Sequence, residues 1–330
     1  MHTGIYFDMR NPPPWATDPT RLYGFTLELC EEADRLGCHS VWFTEHHRFD
    51  DGYLPQPLTI AAAVAARTKR IRIGTGIVIA PLHHAAELAE QAAVVDIISG
   101  GRLELGLGAG YRIPEFELFG ADIRTRYETT DGRVGELRRL WDGIITPGPV
   151  QRPLPLWLGY QGPKGAARAG RLGTGLLSVD ARRWPPYRDA LVASGHDPAQ
   201  GRMAGGINAW VSEEPERDWA TVAPHVSYQF DSYRRHMVEG TDQPLPRPVD
   251  PDRLRQRDLA DGPLGYFTIG TPEDIATTVR GITTGAPVET AYFWASVAGM
   301  PEDRVAAHVR TICTQLAPAL ADHNPIGAMA

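Results

Sequence analysis

The chain has 330 residues, 42% of them hydrophobic, a length that can bury a large core as one big α/β barrel or two medium domains. A formal charge of -7 and a pI near 5.9, with no run of Lys or Arg, argue against nucleic acid as a partner. Cys30, Cys38 and Cys313 lack CxxC or zinc-type spacing, and no apolar stretch approaches the roughly 18 residues that span a bilayer; with no leader-like start in MHTGIYFDMR, the expectation is a cytoplasmic protein without disulfides, structural metal or membrane segment.

Strand-like runs fall at 3–8, 40–45, 71–79, 102–108, 155–160, 174–179, 204–212 and 290–297. Helical periodicity follows at 18–36, 57–68, 85–99, 126–143, 164–172, 184–194, 271–284 and 301–321. Such alternation builds a parallel sheet. Eight repeats predict one α/β domain over 1–330, a (β/α)8 TIM barrel. The first helix stops on Gly37, as a left-handed C-terminal glycine would. The last packs Val305, Val309, Ile312 and Leu316 along one stripe. Residues 213–262 break the pattern with aromatic, basic and proline-rich stretches, which predicts an insertion between strands seven and eight, either an active-site lid or a dimer contact.

In a closed barrel the chemistry comes from the C-terminal ends of the strands. Strand two, SVWFTEHH, delivers Glu45, His46 and His47 there, groups that can act as acid, base or hydrogen-bond donor near neutral pH. A strand cap or a histidine satisfying a buried carbonyl would look the same in sequence. Neighbouring residues on a strand point to opposite faces, which disfavours one metal held by both histidines. Strand three carries Gly74, Thr75 and Gly76 in an apolar run, the mark of a bulge, a barrel bend or a ligand lying close to the backbone.

Strand four runs into LGLGAGYRIPEFELFG. Gly106, Gly108 and Gly110 are spaced GxGxG, and Tyr111 stands where a dinucleotide fingerprint needs its last glycine, so a Rossmann reading fails. The turn offers backbone N–H groups beside Arg112, suited to an anion or a flat ring. Strand five ends Gly159-Tyr160-Gln161-Gly162 and enters a helix at Pro163-Lys164, either a phosphate site at a helix N-terminus or an ordinary turn with a surface lysine. Trp210, Tyr228, Phe230, Tyr233 and Trp294 fit a substrate pocket, and equally a core or a dimer contact.

Taken in order, GIYFDMR, SVWFTEHH, RIGTGIVIAP, AAELAEQAAVVDIISGGR, LGLGAGYRIPEFELFG, PLWLGYQGPKGAARAGRLG and IGTPEDIATTV resemble the bacterial luciferase-like family of flavin-dependent monooxygenases and its deazaflavin-using relatives. The likeness covers nearly the whole chain outside 213–262. It implies a homodimeric barrel that binds reduced FMN, or F420, as a dissociable cosubstrate. It implies that His46 lies near the reactive edge of the flavin, with Glu45 or a backbone carbonyl fixing its tautomer. Thr75 and Gly76 match the segment against which the ring packs, where a non-proline cis peptide is often found. Gly108, Ala109 and Arg112 match the turn after strand four, and Tyr160, Gln161, Gly162 and Lys164 match the phosphate region. Luciferase itself has an arginine where this chain has Ala109, so either Arg112 or Lys164 supplies that charge or the bound tail differs from that of FMN. Glu-His-His resembles the FMN users more than the F420 users, many of which have Asp-His. The implied reaction is oxygenation of a small organic substrate through a flavin C4a-peroxide, with reduced FMN from a separate reductase. The alternatives are F420-dependent hydride transfer and a non-catalytic flavin-binding accessory subunit.

Overall fold

The apolar runs of the repeats all pair in parallel. In the computed structural model, which describes residues 1–257 and 265–327, β1 (His2–Phe7) lies between β2 (Ser40–Phe43) and the last strand, β11 (Val288–Trp294). The sheet continues from β2 through β3 (Arg72–Thr75), and from β11 through β8 (Met203–Ile207), β7 (Gly175–Leu177), β6 (Leu156–Leu158) and β5 (Leu103–Gly108). Pairing of β3 with β5 closes it into the predicted eight-stranded barrel. β2 and β5 are buried along their whole length, as parallel strands between a packed interior and a helical layer must be.

Around the barrel run α1 (Pro19–Arg35), α2 (Pro57–Arg67), α3 (Ala85–Ser99), α5 (Arg126–Trp141), α6 (Gly162–Leu172), α7 (Trp184–Ala193), α10 (Pro272–Thr283) and α11 (Glu302–Thr311), with the short α4 (Ile113–Phe119), α9 (Pro251–Arg255) and α12 (Ala317–Ala321). Gly37, with φ 84, follows α1 as predicted. Thr271 and Asp274 cap α10 reciprocally, side chain to backbone in both directions. Val305, Val309, Ile312 and Leu316 are buried. Among the described residues, no helix is long and apolar enough to cross a membrane.

Two strands depart from prediction in ways that shape the barrel mouth. Strand three divides into β3 and β4 (Val78–Ile79): the five residues from Gly74 to Val78 run alongside the four from Glu104 to Leu107, so one extra residue bulges out. Strand seven divides at Asn208. Beyond it, β9 (Ala209–Val211) leaves the barrel and pairs with β10 (Thr268–Gly270) in a separate two-stranded sheet.

The excursion is dominated by α8 (Pro215–Val238), a 24-residue helix that the sequence conceals because Pro224 interrupts its pattern. Its Ser232, Tyr233 and His236 reach Arg10, Tyr53 and Phe49, beyond the C-terminal ends of β1 and β2, so α8 covers the mouth of the barrel. Residues 258–262, the end of the predicted insertion, lie outside the described residues.

Candidate functional site

β2 ends at Phe43, and the next residues turn their side chains alternately away from and into the mouth. Glu45 turns toward β4. Its Oε1 lies 2.8 Å from Nε2 of both His47 and His83, and its Oε2 accepts the Ile79 N–H at 2.7 Å. Burial opposes ionisation, but hydrogen bonds from His47 and His83 win and hold the carboxyl at about 2. His83 shows the reciprocal balance: burial lowers its pKa, and Glu45 more than restores it. Glu45 therefore clamps the end of β2 to β4 and has no contact with His46. The expectation that it sets the His46 tautomer is corrected, because adjacent strand residues face opposite ways.

His46 turns into the mouth, where Nδ1 lies 2.7 Å from Oε1 of Glu115. The same oxygen accepts the His47 N–H at 2.9 Å and Nη1 of Arg112 at 3.2 Å. On the other side of the ring, Nε2 lies 3.2 Å from the Tyr111 hydroxyl. Phe49, Tyr53 and Tyr111 pack around the imidazole with centroids 4.8 to 5.2 Å away. Burial lowers the pKa of His46 and the charges of Arg10 and Arg112 add to this, against the pull of Glu115. In Glu115 burial is outweighed by the bond to His46, and the carboxyl is lowered. The pair is thus a neutral imidazole on a carboxylate.

Glu115 reaches this place because Pro114 stands in the first turn of α4 and Gly120, at φ 65, stops the helix about two turns after it starts, with Phe116 buried against Ile79 and Leu82. A helix so short leaves almost no periodic signal, and the segment reads as a loop in sequence. Arg112 also departs from expectation. It is completely buried, donates to the His47 and His236 carbonyls, pairs with Glu115 and Glu239, and covers the Phe49 ring. With its donors engaged in the protein, it cannot supply a charge to a bound phosphate.

Beyond β1 lies a buried ionic group that sequence reasoning missed. Arg10 donates from Nε to Asp8 at 2.8 Å, and from Nη1 to Asp51 at 2.5 Å and Ser232 at 2.9 Å. Its guanidinium lies over Phe49, Tyr53 and Tyr233 at 4.3 to 5.0 Å. Burial pushes the Asp8 carboxyl up to about 6, even against Arg10. Met9 and Arg48 flank the cluster with left-handed backbone, φ 60 and 56, the sparsely populated geometry that collects at functional sites. Only the Asp8-Arg10 spacing was visible in sequence; Asp51 and Ser232 are 41 and 222 residues from Arg10.

Glycines form the neighbouring floor. A Cβ on Gly108 or Gly159 would come within 2.6 Å of Ile77, and one on Gly76 within 3.2 Å of the Tyr292 hydroxyl. The Gly76–Ile77 peptide is cis. Thr75 contributes backbone alone, since its hydroxyl is exchanged with the N–H and carbonyl of Gly106 at 2.8 Å each. Gly76, Ile77 and Gly159 keep partial exposure, and Ala109 is buried without a charge.

At the end of β6, Gln161 precedes α6 and Gly162 has φ 71. Lys164 is exposed in the first turn of that helix. Tyr160, expected beside a phosphate, turns its hydroxyl to Asp131 at 2.8 Å, which Arg168 also binds, so its side chain belongs to the helical layer. The five candidate aromatics divide. Tyr233 and Trp294 stand at the mouth, where Trp294 donates to Asn208 at 2.9 Å. Trp210 stacks on His308 and Phe230 packs on Phe267, both in the core, and Tyr228 meets Trp15. A cleft of about 800 Å³ at the opposite end of the barrel, lined by Arg138, Trp141, Arg152 and Arg202, contains none of these groups.

Glycines at the strand ends, two of them packed under the side chain of Ile77, and a lysine in the first turn of α6 are groups that could take a flat multi-ring cofactor with an anionic tail. A family model described as luciferase-like monooxygenase matches residues 1–288. The chain is similar to the oxygenase component of flavin-dependent trigonelline monooxygenase from Acinetobacter baylyi, 34% identical over 43% of this chain and 44% of that one. It is also similar to F420-dependent glucose-6-phosphate dehydrogenase from Amycolatopsis mediterranei, 29% identical over 50% of this chain and 56% of that one. The matched regions thus span about half the length of these curated relatives. Among solved structures, monooxygenase RslO1 from Streptomyces bottropensis superposes with a TM-score of 0.79 and 26% identity, covering 96% of this chain and 99% of that one.

Proposed function

The chain belongs to the luciferase-like monooxygenase family, and on that premise we propose that it is a monooxygenase using reduced FMN, delivered by a separate reductase, on a small organic substrate. The observation that carries this reading is an imidazole, His46, held at 2.7 Å by the Glu115 carboxylate, close to glycines at the strand ends and under a covering helix. Bound reduced flavin would supply the electrons that activate dioxygen.

The rest is the work of the chain itself. Gly76, Ile77 and Gly159 take the ring, with Gly108 leaving room for Ile77 beneath it, while Gly162 and Lys164 at the start of α6 take the phosphate. α8 with Phe49, Tyr53 and Tyr233 keeps water from the mouth. His46 holds or accepts a proton at Nε2. Val94, Ile97 and Ile98 on α3 are exposed and provide an apolar face for a homodimer.

Titration of the purified protein with FMN, reduced FMN and F420 tests the cofactor, and oxygen uptake with a flavin reductase tests the reaction. Saturable binding of reduced FMN with reductase-dependent product is expected. Binding of F420 with no binding of either form of FMN would replace this reading with hydride transfer. A His46→Ala variant with undiminished turnover would remove the histidine from the chemistry.

A further inference from the structure

The contacts of His46 determine where its proton sits. Oε1 of Glu115 faces three donors or potential donors, the His47 N–H, Arg112 and His46 Nδ1, and a 2.7 Å approach of two lone pairs would be repulsive, so Nδ1 carries the hydrogen. Nε2 is then an acceptor, and the Tyr111 hydroxyl at 3.2 Å is its donor. Tyr111 is more than a third exposed, whereas the His46 ring is buried. The Tyr111 ring reaches the surface, while its hydroxyl lies enclosed between His46 and Tyr233.

We propose that Glu115 is a positioning residue that locks His46 with its proton on Nδ1, and that Tyr111 passes protons between Nε2 and the mouth of the barrel. This rests on His46 as the acid–base group of the proposed function. In one transfer, the Tyr111 proton moves to Nε2 while the phenol oxygen takes a replacement from a water or substrate O–H. Tyr111 ends neutral, the donor is left as its conjugate base, and the new imidazolium is matched by the Glu115 carboxylate. The charged and titratable groups facing His46 are Glu115 and Arg112 at α4, Arg10 beyond β1, Tyr53 beyond β2, Tyr111 beyond β5 and Tyr233 from α8. Burial lowers the pKa of the ring, and the two arginines add to this.

Nitrogen-15 NMR of histidine side chains in the cofactor-free full chain reads the tautomer directly, with His46→Gln assigning the resonance. Hydrogen on Nδ1 is expected in the wild type. Glu115→Gln removes the charge that favours imidazolium, so the titration midpoint of His46 moves down by about one pH unit. Tyr111→Phe removes a bond to the neutral form, so the midpoint moves up by roughly half a unit. Opposite shifts are not what general loosening of the site produces. Hydrogen on Nε2 in the wild type, or an unmoved midpoint in either variant, would overturn the proposal. Should Glu115→Gln fail to fold, the wild-type tautomer and Tyr111→Phe still decide it. Failure of the flavin reading shows separately, as absent turnover with reduced FMN alongside an unchanged NMR result. Where turnover is present, Tyr111→Phe lowers kcat about tenfold with KM preserved.

Discussion

Replacing Arg10 with Met tests the energetics at the end of β1. The side chain is fully buried and pairs with two carboxylates, Asp8 at 2.8 Å and Asp51 at 2.5 Å, which are themselves buried. Methionine fills much of the volume, so the dominant effect is two carboxylates left without a cation. Breaking a buried pair from one side costs roughly 3–5 kcal/mol, a large part of the net stability of a domain. The pH dependence sharpens the test. Asp8 has its folded pKa raised to about 6 from 3.8, so the native state keeps a proton that the unfolded chain has lost, and stability falls as pH rises through that window. Without Arg10 the carboxyl rises further, and the deficit of the variant grows with pH. Urea unfolding of both proteins at about pH 5 and about pH 8 should therefore show the larger loss at the higher pH. A loss below about 1 kcal/mol, or one that shrinks with rising pH, would refute the electrostatic account.

Three further outcomes follow from the same geometry. Glu45 has its carboxyl lowered to about 2, so its stabilisation is present above about 4.5 and is lost as pH falls toward 2; Glu45→Gln should remove about 3 kcal/mol at neutral pH and flatten the acid limb of unfolding followed by circular dichroism. Gly159→Ala places a methyl 2.6 Å from Ile77, an overpacking of roughly 1–3 kcal/mol in the floor, and should weaken flavin binding about tenfold by fluorescence titration; an unchanged Kd would remove Ile77 from the cofactor platform. Lys164→Ala should weaken FMN binding about tenfold and leave riboflavin binding unchanged, since riboflavin lacks the phosphate; equal loss for both ligands would place the phosphate elsewhere.

The barrel was legible because its signals are local. Runs such as RIRIGTGIVIAP and LELGLG read as buried strands without knowledge of their partners, and Gly37 marks where the first helix stops. Where the local signal is short or interrupted, reading fails. α4 is a seven-residue helix, and α8 carries Pro224 within its 24 residues. Both build the mouth, so the least legible elements are the ones that surround His46.

Glu45, His46 and His47 could be singled out together from their place at a strand end, and the family resemblance narrowed the choice to His46. What the sequence could not decide was which carboxylate it meets. Glu45 is one residue away and faces the other side of the strand, whereas Glu115 is 69 residues away and forms the bond. The Arg10 cluster repeats the lesson, since its anion and hydroxyl partners come from the loop after β2 and from α8. Strand and helix positions follow from short-range periodicity and so are written in the chain. Hydrogen bonds between side chains depend on which loops the closed barrel brings to one end, and only the tertiary structure decides that.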